Sequence, residues 1–407
     1  MEVARVIDQL YKSHFSKMVV TLAAYFRLTN LELAEDIVQD TFVSAFKSWS
    51  KGGIPDHPEA WLFKVCKNKG LNEISKLNKS SNEAIIDRIT LPEELFAPQE
   101  IRDNELRMLF ASCHPDFPPK SQIILTLKVL ASLKEKEIAT SLGMKVEAVK
   151  KNLVRTRKLI KDKEMQLKVP FRLQSKARLK IVHQVLYLIF NEGYKASEGD
   201  DLIRQDLCQQ AIRLTQLLLE HEDIATKDTM ALFSLMIFNI ARFKARLTPL
   251  GEIIELKDQD RSLWDKELIS LGIKYFNQSQ LAEEWSKYHY EAAIASLHTT
   301  SASFEATNWP GIVHLYQKLL ELHSSPFISL NYCIALHFMG DTSKALNILL
   351  SLKELKENPS YLCALALLYE KQDRAELAIN YYLDALQKVN MGVERKAILR
   401  KIDLIKK

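Results

Sequence analysis

Apolar residues recur at spacings of three and four along nearly the whole chain, the repeat of a helix with one buried face. The stretch VIDQLYKSHFSKMVVTLAAYF (6–26) predicts a first helix. Thr29 and Asn30 then offer a cap, and LELAEDIVQDTFVSAFKSW (31–49) predicts a second, broken by Gly52, Gly53 and Pro55. HPEAWLFKVCKNKGLNEISKL (57–77) predicts a third, with Pro58 in its first turn.

Residues 78–105 change character. Seven acids stand against two Arg and one Lys, with two prolines, so this stretch predicts a partly extended acidic linker. Helical pattern resumes at LRMLFASCH (106–114) and PPKSQIILTLKVL (118–130). A short helix from Lys134 to Leu142 then meets Gly143, and another starts near Val146. Two short amphipathic helices around a glycine turn have the helix-turn-helix layout, with Ile138, Ala139, Leu142, Val149 and Leu153 as the shared core.

From residue 171 onward the pattern stays helical, with short breaks. A repeat appears near the end: Gly340, Ala345 and Leu349 are matched 33 residues later by Asp373, Ala378 and Tyr382, and Cys333 by Ala366. This period is close to that of tetratricopeptide helix pairs, and WPGIVHLYQKLL (309–320) fits as a degenerate third copy. The fold class expected is therefore all-α. The stretch LIFNEGYKASEGDD (188–201) stands out, an apolar run that stops on Asn191, Glu192, Gly193 and Tyr194. Asn191 with Gly193 predicts a helix stop there.

Composition supports this reading. Hydrophobic residues make up 47% of the 407, enough for packed cores, and only 11 Gly and 12 Pro favour long helices. No window is apolar enough to span a bilayer, and charges near the N-terminus argue against a signal peptide, so a soluble cytoplasmic protein is expected. Cys66, Cys113, Cys208, Cys333 and Cys363 sit among apolar neighbours and predict buried reduced thiols. Neither His nor Cys spacing suits a metal, so no metal or cofactor is expected. The net charge of +5 is localised: residues 1–170 carry 27 Lys+Arg against 22 Asp+Glu, and residues 171–407 carry 29 of each. A nucleic-acid partner therefore belongs to the first part. On the second helix of the pair, Lys145, Glu147, Lys150 and Lys151 are placed for bases or nearby phosphates, and Arg155, Arg157 and Lys158 for backbone clamps.

AEDIVQDTF (34–42), PEAWLFKVCKN (58–68) and KEKEIATSLGMKVEAVKKNLVRTRKLI (134–160) resemble the second and fourth conserved regions of bacterial sigma factors of the extracytoplasmic-function type. The resemblance implies region 2 over 1–77, an acidic linker over 78–105 and a region 4 helix-turn-helix over 106–168. It also implies a promoter-specificity subunit. Glu35, Asp36, Gln39 and Asp40 would dock on the clamp coiled coil of core RNA polymerase. Trp49, Trp61, Lys64, Lys67, Asn68, Lys69 and Asn72 would engage the −10 element, and the helix-turn-helix the −35 element. Either tryptophan is open to a core role instead. The family usually carries an Asp four residues after the Asn and then an Arg; Asn72 and Ser75-Lys76 stand here, which bears on base preference. Glu93, Glu94 and Glu100 would suit a linker threaded through a positive channel, or a plain spacer.

VLYLIFNEGYKAS, DQDRSLWDKELI, YHYEAAIASLH and NWPGIVHLYQKLL resemble the C-terminal extension of one sigma subgroup with a tetratricopeptide-like domain, here 169–407. Asp258, Asp260, Arg261, Trp264 and Asp265 form a dense cluster in sequence, which Glu192 and Tyr194 would join. Three roles remain open for it: buried pairs that lock helix ends, a groove for a protein or small-ligand partner, or acid–base catalysis. No Ser or Cys elbow and no Gly-rich phosphate loop accompany it, so an enzyme is not expected. The leading expectation is a sigma factor whose C-terminal domain regulates it in cis. The alternative is a helix-turn-helix regulator that does not bind polymerase.

Overall fold

The computed structural model describes residues 2–26, 31–80, 91, 94–142, 144–163, 172–195, 203–222, 224–248, 251–389 and 392–406; at 77–80, 141 and 172–177 only the backbone is described. Thr29, Asn30, Glu93 and Gly143, singled out above, lie outside this set. The architecture is all-helical, and among the described residues the one strand-like feature is an isolated antiparallel bridge between Leu247 and Ile253. The chain forms two compact units, a first of Met1–Ser197 with Ile203–Ile224 and a second built on Ala225–Lys407.

Unit 1 opens with α1 (Glu2–Phe26), α2 (Leu31–Gly52) and α3 (Pro58–Ser80). Met18, Leu22 and Phe26 recur every fourth residue on α1 and are fully buried. Each contributes about 1.5–3 kcal/mol of transfer energy, so this stripe pins α1 to its neighbours. Tyr11 stacks on Phe15 and meets Phe42 of α2 edge-on. The unit continues with α4 (Pro98–Ser112), α5 (Pro119–Val129), α6 (Glu135–Ser141), α7 (Val146–Asp162), α8 (Arg172–Tyr194) and α9 (Gln205–Leu219).

Three sequence expectations change here. The last eight residues of the expected linker belong to α4, because Pro98 starts that helix and Asn104 and Glu105 are buried in it. Helix α8 does not stop at Asn191 but runs through Gly193 to Tyr194. Gly193 serves close packing instead: a Cβ there would lie 2.7 Å from the Cys208 nitrogen, and the Gly193 carbonyl accepts from Arg204 N–H at 2.8 Å. Finally, the compact units divide after α9, whereas the motifs suggested a division at 169.

Unit 2 contains α10 (Lys227–Ile240), α11 (Phe243–Arg246), α12 (Lys266–Ser279), α13 (Lys287–Thr300), α14 (Trp309–Leu322), α15 (Pro326–Met339), α16 (Thr342–Ser351), α17 (Pro359–Glu370), α18 (Ala375–Lys388) and α19 (Gly392–Ile405). Side-chain caps mark many starts: Thr226, Asp265, Asn308, Asp341 and Asn358 each accept from a backbone N–H in the first turn. The 33-residue repeat is a repeat of helix pairs, α15–α16 and α17–α18. Matched positions share their environment: Cys333 and Ala366, Ala345 and Ala378, Leu349 and Tyr382 are all fully buried. Gly340 and Asp373, the matched turn residues, both take left-handed backbone angles (φ 107° and 58°), which Gly and Asp tolerate best. Ile312 of α14, in register with Ala345, is also fully buried.

Candidate nucleic-acid interface

On α2, Asp36, Gln39 and Asp40 are exposed, while Ile37, Val38 and Phe42 face the core. Asp36 and Asp40 line one cleft with Lys69, Asn72 and Lys76 of α3, so residues expected to meet polymerase and residues expected to meet DNA are neighbours. Lys64, Asn68 and Asn72 fall on one exposed stripe of α3 by their spacing of four, and Lys67 is half-buried. Trp49 is a correction: at 2% exposure it packs edge-on against Trp61 inside the unit, and no base can stack on it there. Trp61, half-buried, is the tryptophan left at the surface.

The chain just before α4 folds back onto α3. Phe96 stacks on Phe63 with ring centroids 4.9 Å apart, and Glu94 shares a pocket with Lys64 and Lys67. Glu100 is on α4 rather than on extended chain, and accepts hydrogen bonds from Tyr25 and Asn104.

The helix-turn-helix is α6–α7. Ile138, Ala139, Val149 and Leu153 form its buried core, with Leu142 half-buried. The Glu137 carboxylate accepts from Lys134 N–H at 2.7 Å and closes the start of α6, and Asn152 donates to Ser121 of α5 at 3.0 Å. Lys145, Glu147, Lys150, Lys151, Arg155 and Lys158 are exposed, and Lys150 pairs with Glu147 at 3.0 Å. Sequence reasoning passed over Val154. It is 66% exposed between Lys151, Arg155 and Lys158, on the face that carries the cations. Its position three residues after Lys151 and four before Lys158 was the available signal.

Arg157 sits differently from its neighbours. Its guanidinium bridges back to α2, donating to Glu32 Oε1 at 3.0 Å and Glu35 Oε2 at 2.9 Å. An expected phosphate clamp is therefore tied to an expected polymerase contact. Burial pushes the Glu35 carboxyl above the usual carboxylate range, more than Arg157 and Lys128 beside it pull it back. The tie is thus a modest one, its attraction largely spent on desolvation.

Helices α8 and α9 pack on α4, α8 also on α5, and Arg204, just before α9, reaches α6. Arg213 makes a bidentate pair with Glu105, whose side chain is fully buried. Arg204 pairs with Glu137 of α6 at 2.6 Å, and Gln210 donates to the Leu130 carbonyl at 3.0 Å. None of these partners was legible from sequence patterning.

The charged cluster expected in the second half separates into independent devices. Glu192 is buried in unit 1, and Tyr194 stacks on Phe190 there. In unit 2, Asp260 is an exposed cap that accepts from Ser262 N–H at 2.8 Å, not half of a buried pair. Arg261 donates to the carbonyls of His298 and Ser301 at the end of α13 and lies over buried Trp264 at 4.5 Å. Asp265 caps α12. A cation on the free carbonyls of a helix end and carboxylates on free N–H groups are structural locks.

Among the described residues no helix is long and apolar enough to cross a membrane. The chain matches sigma-70 region 2 over residues 11–80, sigma-70 region 4 over 107–160, and a family of unknown function (DUF6596) over 178–280. The last match begins on α8 in unit 1 and ends past α12 in unit 2. Uncharacterized protein R00370 of Rhizobium meliloti (strain 1021) is 32% identical over 343 residues, covering 81% of this chain and 79% of that protein. ECF RNA polymerase sigma factor SigE of Mycolicibacterium smegmatis is 28% identical over 159 residues, 38% of this chain and 60% of SigE.

Proposed function

We propose that this chain, which belongs to one family with protein R00370 of Rhizobium meliloti and carries sigma-70 regions 2 and 4, directs core RNA polymerase to specific promoters. The observation that carries this reading is the pairing, in one compact unit, of an exposed acidic stripe on α2 with an exposed basic helix-turn-helix face. Asp36, Gln39 and Asp40 would meet the clamp coiled coil, with Glu35 joining once released. Trp61, Lys64, Lys67, Asn68 and Asn72 would engage the −10 element. Lys145, Glu147, Lys150, Lys151, Arg155 and Lys158 would read and hold the −35 element, and Val154 would offer apolar contact to a thymine methyl. The full chain is expected to co-elute with core polymerase, and Asp36→Arg with Asp40→Arg to abolish this while the protein stays folded. Co-elution unchanged by that charge reversal would remove α2 from the polymerase contact.

We further propose regulation in cis by the residues that follow the helix-turn-helix. Arg157 cannot clamp a phosphate and hold Glu32 and Glu35 at once, so promoter binding requires the tie to open. The pairs Arg213–Glu105 and Arg204–Glu137, which tie residues after the helix-turn-helix back to α4 and α6, support that reading. Glu32, 70% exposed and outside the expected contacts, is the site to test. Glu32→Lys repels Arg157 and is expected to tighten core binding roughly threefold to tenfold, the scale of a partly exposed pair. Unchanged or weaker core binding would contradict the closed state.

A further inference from the structure

Unit 2 holds a cavity of about 470 Å³ that none of the locks above explains. Ligand pockets commonly span about 300–1,000 Å³ and are mostly apolar with a few polar groups. The helix-pair repeat builds it. Helix α15 contributes Ile334, Ala335 and Phe338, and α17 contributes Cys363, Ala364 and Leu367, each set at the three-and-four spacing of a single helix face. The alanines leave the room; the aromatics shape it. Trp309 of α14 stacks on Phe338 at 4.9 Å, and Phe304 meets both rings edge-on at 5.1 and 4.9 Å. Helix α19 and residues 253–257 close the far side.

The charges around it balance, Lys257 and Lys401 against Glu255 and Glu394. Lys401 pairs with Glu255 at 2.5 Å, and Lys257 reaches the same carboxylate at 3.8 Å. His298, edge-on to Trp309, is held down to about 4 by burial and by Arg242 and Arg261, so it is neutral at physiological pH. A charged ligand would lose its hydration against a wall whose own charges sum to zero. Asn331 and Ser360, both exposed, are the neutral polar side chains at the edge.

We infer that this cavity is a binding site for one uncharged, ring-bearing, largely apolar small molecule, seated against Trp309 and Phe338 with any polar group toward Asn331 and Ser360. The site rests on unit 2 alone and stands whether or not the promoter reading does. It supplies a place where a chemical signal enters the chain.

Two dyes of nearly the same skeleton test it on the full chain: neutral N-phenylnaphthylamine and anionic anilinonaphthalene sulfonate. The neutral dye should bind saturably with one site per chain and quench tryptophan emission. The sulfonate should bind at least roughly tenfold more weakly, since its charge is stripped of water without compensation. Cys363, half-buried in the wall, gives a second readout. Saturating neutral dye should slow its alkylation by iodoacetamide at least about tenfold, as expected when occupancy blocks the reactive state. Cys363→Phe should fill the cavity and remove dye binding with little change in melting temperature; if that variant does not fold, the alkylation result decides. No saturable binding, sulfonate binding as tight as that of the neutral dye, or an unchanged alkylation rate would each overturn the inference.

Discussion

Replacing Arg213 with methionine is expected to destabilise unit 1 by about 3–5 kcal/mol, the usual cost of stranding one partner of a buried ion pair. Methionine keeps much of the packing of the arginine stem, so the loss falls mainly on the charge. Glu105 is fully buried, and Arg213 is its bidentate partner. Lys17 of α1 is close enough to feel both charges, and burial holds its own ammonium below its ordinary value. It offsets part of the loss, which places the expected value at the lower end, about 3 kcal/mol. Hydrogen exchange of α4 and α9 peptides in the full chain reports this locally, where a single global unfolding energy is not defined for two units. Glu105→Leu combined with Arg213→Met should return to within about 1–2 kcal/mol of wild type, because an apolar pair replaces a buried ionic one at little net cost. A single variant losing under about 1 kcal/mol, or a double variant as unstable as the single, would refute the reasoning. The same pair makes a fragment prediction: residues 1–170 lack Arg213, Arg204 and Gln210 and should be far less stable than residues 1–224.

Three further outcomes follow from individual side chains. Val154→Ser should leave stability within about 0.5 kcal/mol, since the residue is exposed, yet weaken binding at thymine-bearing −35 positions; Lys151→Ala should instead weaken all sequences alike and lower the salt slope by about one. His298 is depressed to about 4 in the fold against an ordinary 6.5, so the unfolded chain takes up its proton first. Its stabilising contribution is complete above pH 6.5 and is lost as pH falls toward 4, by up to about 3 kcal/mol, and His298→Phe should flatten that acid limb in urea titrations of unit 2.

The parts of this fold that rest on local periodicity were legible in the sequence. The helix-turn-helix core follows from the spacing of Ile138, Ala139, Val149 and Leu153, and the helix pairs from small residues recurring at one offset. What was hidden depends on partners distant in sequence. Arg213 meets Glu105 across 108 residues, and Arg157 meets Glu35 across 122. No pattern within a helix separates a cation that waits for phosphate from one already paired. Trp49 and Trp61 illustrate the same limit: both sit on amphipathic helices, and only packing decides which is core. The Asp260–Trp264 cluster was dense because two helix ends meet there, each needing a cap.

The activity proposed for this chain is promoter-directed initiation. Its most direct measurement is run-off transcription by core polymerase, with and without the full chain, on an unbiased genomic fragment library. Transcripts should appear only with the chain and start at a fixed distance from shared −35 and −10 elements. Folded, DNA-binding protein that yields no such transcripts would contradict it, and leave a helix-turn-helix regulator that does not engage polymerase.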